Sequence, residues 1–153
     1  MRRKRRMTVD MVKETNYHRQ SRTRINVLDD DGDERGSSFH SVSREIVDFL
    51  GSIEDIHIAT IRPSFFRGDH YHMRQHEATI VIYSDKWSFF WDSGPKTEVN
   101  QRNFSGKGAV LLKIEPNSSH TILNDGDSNL CILAFSNRPS DPADYDRFGR
   151  PLI

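Results

Sequence analysis

Within the segment RGDHYHMRQHE, the residues His70, His72, His76 and Glu77 stand close together, flanked by Arg67 and Arg74. A second segment, EPNSSHTILND, places His120 at the edge of a run that otherwise reads as core. Imidazole nitrogens and carboxylate oxygens are donors that suit first-row transition ions. His70 and His72 are two apart, so in an extended strand both point the same way. The chain can turn after them, letting Glu77 open the next strand facing inward, with Thr79, Val81 and Tyr83 at the same parity. His120 opens a much later strand and can arrive from the opposite side. His70, His72, Glu77 and His120 are therefore a candidate ligand set for one divalent transition metal per chain: Fe(II), Mn(II), Ni(II), Cu(II) or Zn(II). Calcium, which takes oxygen donors, does not fit. The alternative is a buried hydrogen-bonded network of the same four groups, costly unless every donor finds a partner.

Further residues around this set carry chemistry of their own. His76 adjoins the candidate ligands without being one of them, and imidazoles exchange protons near neutral pH, so it is a candidate acid–base group or an exposed loop residue. Tyr83 is a candidate proton donor or a core aromatic. Arg62, Arg67 and Arg74 offer guanidinium forks that match carboxylate or diphosphate oxygens. Arg67 is the foremost of these, because Gly68 lets the backbone pass close to a pocket. Trp87, with Phe89 and Trp91 on the same strand face, can stack a sugar or base ring or fill the interior.

The elements that would position these groups are short strands. DIHIATIR, EATIVIYS, KWSFFW, AVLLKIE, HTIL and NLCILAF alternate or are rich in β-formers, and polar turns separate them. Both faces of DIHIATIR are apolar apart from His57, which predicts a strand covered on both sides. FHSVSREIVDFLGS reads as a short helix or as a strand with a bend. RPSFFRGD, DSGPKTEVNQRNFSGKG and the proline-rich tail after Phe135 read as connections. No βαβ repeat is present. The pattern predicts an all-β sandwich or barrel spanning residues 25–153, preceded by a flexible basic arm over residues 1–24.

Composition narrows the partners. The 22 basic and 22 acidic side chains cancel, which gives no support for a nucleic-acid-binding protein. The MRRKRR start is a solvated arm or a contact for an acidic partner. No apolar run is long enough to span a membrane and no apolar segment follows the basic start, so the expected location is the cytoplasm. Cys131, the single cysteine, excludes an internal disulfide.

The order His70-x-His72, Glu77, then Pro116, His120 and Asn124 resembles the two sequence motifs of the cupin superfamily. That resemblance implies a double-stranded β-helix, the jelly-roll barrel, with the four candidate ligands around one metal. DERGSSF, IRPSFFRGDHYH and PADYDR further resemble the small sugar-modifying cupins: nucleotide-sugar epimerases, ketoisomerases and the metal-binding cupin domain of capsular-polysaccharide enzymes. The resemblance implies a homodimer and a divalent-metal-dependent isomerase or epimerase acting on a small polar carbonyl compound such as a nucleotide sugar. An Fe(II)-dependent dioxygenase, a lyase, cyclase or hydrolase, and a non-catalytic metal- or ligand-binding module are the alternatives.

Overall fold

The computed structural model describes residues 22–40 and 42–153. The strands run Thr23–Val27 (β1), Asp55–Ile61 (β2), Phe66–Tyr71 (β3), Glu77–Tyr83 (β4), Trp87–Trp91 (β5), Asn100–Phe104 (β6), Gly108–Ile114 (β7), His120–Leu123 (β8), Leu130–Ser136 (β9) and Phe148–Gly149 (β10). A helix, Val42–Leu50 (α1), and a 3-10 turn at Pro142–Asp144 complete the elements. The strands form two antiparallel sheets, ordered β1-β7-β4-β9-β2 and β10-β3-β8-β5-β6. Their inward faces meet through Ile61, Val81, Val110, Leu112 and Ile132 on one side and Trp87, Phe89, Phe104 and Ile122 on the other. These large side chains fill one end of the barrel. No helix among the described residues is long and apolar enough to cross a membrane.

The ambiguous segment before Gly51 is helical. Ile46 and Leu50, four apart, lie on one helical face and are buried against Ala78 and Leu111 on the outside of the first sheet. Gly51, at φ 76, takes the left-handed conformation that ends the helix, and its N–H donates to Val47 O at 2.8 Å. Because α1 packs over β4 and β7, it leaves the outer face of β2 open. Ile56 and Ile58 are 58% and 69% exposed, so the expected cover on both faces of that strand is absent among the described residues.

Two segments expected to be connections contain strands. Within RPSFFRGD, Phe66 opens β3, whose alternation is interrupted by a bulge between Gly68 and His70. Asn100–Phe104 is a polar strand at the sheet edge, with only Phe104 buried. An edge strand with one buried side chain carries no apolar period for sequence reading to detect. The barrel also begins earlier than residue 25. Thr23 is buried and pairs with Ile114, and Arg22 Nη1 donates to the Pro116 carbonyl at 3.1 Å. The rest of the expected arm, residues 1–21, lies outside the described residues.

The tail is anchored rather than irregular. Phe148 and Gly149 pair with Tyr71 and His70 on β3. Arg150 reaches the buried Asp92 (Nε–Oδ2 2.7 Å) and lies over the Tyr71 ring at 4.2 Å. The segment between Ser136 and Arg150 thereby becomes a wall at the end of the barrel opposite the aromatic core.

Docking of α1 rests on few side chains, so truncating one should be felt in full. Leu50→Ala is expected to cost about 2–5 kcal/mol, measured as a lower urea midpoint at unchanged slope. A loss below about 0.5 kcal/mol, the size of an ordinary surface change, would contradict that packing.

A histidine-lined cavity as the candidate active site

The bulge in β3 creates the site. Gly68 has φ 122, and a Cβ there would lie 2.2 Å from the His120 carbonyl oxygen, so only glycine fits. Asp69 follows at φ 56, its carboxylate accepting from Thr121 Oγ1 at 2.6 Å and Leu152 N at 3.0 Å. The shift in register puts His70 directly across from His120, with ring centroids 4.8 Å apart, and His72 follows at 5.1 Å from His70. Glu77, opening β4 in the facing sheet, reaches into this cluster. Its Oε2 is 3.6 Å from His72 Nε2 and its Oε1 is 3.8 Å from His120 Nε2, while Thr79 Oγ1 donates to Oε1 at 2.7 Å.

Backbone carbonyls set the imidazole tautomers. His70 Nδ1 lies 3.0 Å from Gly68 O, and His72 Nδ1 lies 2.6 Å from Asp146 O. A carbonyl only accepts, so each Nδ1 carries the proton and each Nε2 presents a lone pair. His120 Nδ1 is buried without a hydrogen bond of ordinary geometry among the described residues, although the Ser118 backbone beside it acts to raise its pKa. Burial pushes His70 down to about 4, helped by the His120 charge, and burial lowers His120 against the opposing pull of Glu77. Burial also acts to lower His72, but Glu77 and the Asp146 carbonyl overcome it and raise the pKa. For Glu77, burial alone would raise the carboxyl; the neighbouring imidazoles of His72 and His120, with the Thr79 hydroxyl, prevail and hold it well below the usual carboxylate range.

These distances fit a metal better than a closed hydrogen-bond network. At 3.6 and 3.8 Å, the Nε2–carboxylate separations exceed a hydrogen bond. They approach the roughly 3.4 Å between two donors that each sit about 2.1 Å from a tetrahedral ion. His70, Glu77 and His120 bring one donor atom each within 4.8 Å of one another. His72 lies outside that trio, 3.6 Å from Glu77 Oε2, with the Gln75 amide 3.4 Å from its Nε2.

The cluster forms one wall of a cavity of about 900 Å³. Across the sheet, register aligns Glu77 with Ser136 and Asp55, and Thr79 with Ala134 and His57. Small side chains, Ala134 and Ser136 on β9, line the surface between the rows, with Ala59 next to them on β2. His57 and Asp55, two strands and about 10 Å from β4 on the same face of the sheet, line the cavity at its β2 edge. Arg67, Arg138, Tyr145 and Arg147 also line the cavity.

The residues expected from sequence separate into two groups. His70, His72, Glu77 and His120 are brought together, and Arg67 lines the cavity while its Nε donates to Thr60 O at 3.1 Å. The others do not line it. His76 neighbours Glu77 and so points to the other side of the sheet, edge-on to Phe49 of α1 at 5.5 Å. Tyr83 keeps the inward parity but lies six residues, about 20 Å, along the strand, packed against Trp87 and Phe104. Trp87 is fully buried, stacked on Phe104 at 4.2 Å, so it belongs to the aromatic core. Arg62 lies over the Phe65 ring, and Arg74 is taken by Asp144 at 2.7 Å and Asp146 at 3.6 Å.

Sequence reading passed over His57, Asp146 and the arginines of the tail. For His57 a signal existed, as a polar residue, with Asp55, at the inward parity of an otherwise apolar strand. The tail offered none.

The two-sheet barrel has the cupin type of jelly-roll fold. Residues 31–148 match the family model described as the polysaccharide biosynthesis C-terminal domain, and the chain belongs to that family. No curated protein sequence matches it. Among solved structures, it is similar to the capsular polysaccharide assembling protein CapF from Staphylococcus aureus (20% identity, TM-score 0.59, covering 82% of this chain and 34% of that one). It is also similar to the 3,4-ketoisomerase QdtA from Thermoanaerobacterium thermosaccharolyticum, in complex with TDP-4-keto-6-deoxyglucose (16%, 0.63, 83% and 86%). A third is the dTDP-6-deoxy-D-glucose-3,5-epimerase RmlC from Legionella pneumophila (16%, 0.65, 86% and 74%). The chain spans about a third of the length of CapF.

The bulge gives a direct test of how the site is built. Gly68→Ala should destabilise the fold by about 1–3 kcal/mol and separate His70 from His120, read from denaturation midpoints and imidazole nitrogen chemical shifts. Wild-type stability and shifts would contradict the close approach.

Proposed function

We propose that this protein is a divalent-metal-dependent isomerase or epimerase acting on a keto-sugar nucleotide. The observation that carries the reading is the cavity: a carboxylate among three imidazoles shares it, across small side chains, with an imidazole that makes no hydrogen bond among the described residues. The size suits the sugar end of such a substrate, since ligand pockets of this kind run from about 300 to 1,000 Å³. Similarity of fold to sugar epimerases and ketoisomerases is consistent with it.

His70, His72, Glu77 and His120 would hold the ion. When bound, it supplies Lewis acidity to a carbonyl oxygen. The chain's own residues account for the rest. Isomerisation next to a carbonyl moves a proton off one carbon and returns one elsewhere. His57 is placed for that transfer: it lines the cavity and makes no hydrogen bond among the described residues. An imidazole can take and give a proton near neutral pH. Arg67 and Arg147 suit the anionic end of the substrate. Arg147 makes no ion pair among the described residues, unlike Arg74 and Arg138, which both pair with Asp144.

Incubation with TDP-4-keto-6-deoxyglucose in deuterated water tests the activity. Wild type should introduce deuterium next to the carbonyl, seen by mass spectrometry. His57→Gln should slow that exchange by about 100-fold or more with the metal content unchanged. Exchange at the wild-type rate would remove His57 from the mechanism. No exchange by metal-loaded wild type, combined with oxygen uptake by the iron-loaded protein, would favour the dioxygenase alternative.

The ligand assignment has its own test. His72→Ala should lose most bound metal and the turnover with it, measured by elemental analysis of protein reloaded with Zn(II) or Fe(II). Full metal content would overturn His72 as a ligand.

A further inference from the structure

We propose that Asp146 is the positioning residue of the histidine cluster, fixing both the ring of His72 and the turn that follows it. This inference rests on the metal reading above for its consequence, but not for its geometry.

Asp146 lies 74 residues from His72 in the chain, in the tail wall of the cavity. Its carboxylate accepts three successive backbone N–H groups: Met73 N to Oδ1 at 3.1 Å, Arg74 N to Oδ2 at 3.1 Å and Gln75 N to Oδ2 at 3.0 Å. These are the residues that carry the chain from His72 towards Glu77. The Asp146 side chain is only 8% exposed, so few other acceptors are at hand for those amides. The backbone carbonyl of the same residue accepts from His72 Nδ1 at 2.6 Å. One residue thus grips the ring and the backbone beside it. With Nδ1 protonated, the Nε2 lone pair is directed at the cluster, 3.6 Å from Glu77 Oε2. Without the carboxylate, the turn loses three acceptors and the carbonyl loses the anchor that keeps it opposite the ring.

Asp144 serves as an internal comparison. It sits in the same tail and pairs with Arg74 and Arg138, but no hydrogen bond or ion pair joins it to His70, His72, Glu77 or His120 among the described residues. A general loosening of the tail would follow from losing either aspartate, whereas a change in the His72 ring should follow only from losing Asp146.

The test uses the full chain with Asp146→Ala, Asp146→Asn and Asp144→Asn. Imidazole nitrogen shifts of the metal-free proteins report the His72 tautomer. Competition with a chromophoric chelator reports Zn(II) affinity. Wild type and Asp144→Asn should show His72 protonated on Nδ1. Asp146→Ala should show mixed tautomers and bind Zn(II) about 10–100-fold more weakly. Should Asp146→Ala fail to fold, Asp146→Asn decides, because it removes the charge and replaces one acceptor by a donor; a loss of tenfold or more is expected. Wild-type tautomer and affinity in the Asp146 variants overturn the proposal, as does a wild-type His72 protonated on Nε2. Equal losses in Asp144→Asn also overturn it, by assigning the effect to the tail at large. If wild type shows the expected tautomer and Asp146 variants lose it, yet no protein binds Zn(II), Fe(II), Mn(II) or Ni(II), the positioning role stands and the metal reading fails.

Discussion

The site depends on one carboxylate kept ionised inside a barrel. The Glu77 side chain is only 15% exposed, a setting that on its own favours the neutral acid. Its charge persists because His72 and His120 approach both oxygens and Thr79 donates to one of them. Such an arrangement is stable only if each imidazole is held at the right angle. The surrounding fold does this at two points: the bulge at Gly68 brings His70 to His120, and the tail reaches back to His72.

This demand divides the barrel into two ends. At one end, Trp87, Phe89 and Phe104 close the space between the sheets with aromatic rings. At the other, the side chains shrink to Ala59, Ala134 and Ser136, and volume remains for a ligand. The same strands serve both ends. Along β4 the inward positions pass from Glu77 and Thr79 through Val81 to Tyr83, from polar cluster to core, without changing face.

The strands with strong alternation and the four clustered side chains were legible in the sequence, because a period of two and a set of metal-suited donors are local properties. What was not legible depended on partners distant in the chain. The first part of β3 was hidden by the glycine that its bulge needs, and β6 by its polar edge position. His76 and Tyr83 were placed near the chemistry by adjacency and parity. Adjacency along a strand reverses the face, and parity says nothing about depth. The role of the tail could not be read from PADYDR, since Asp146 acts through contacts with residues more than seventy positions earlier.

The small residues on β9 have a consequence for how this scaffold can change. Ala134 and Ser136 occupy the span between Glu77 on β4 and His57 on β2. Each methylene added at Ala134 would subtract from the room for a guest molecule while leaving every polar group in place. Selectivity by size can therefore diverge between relatives through plain hydrocarbon, with the reactive apparatus untouched.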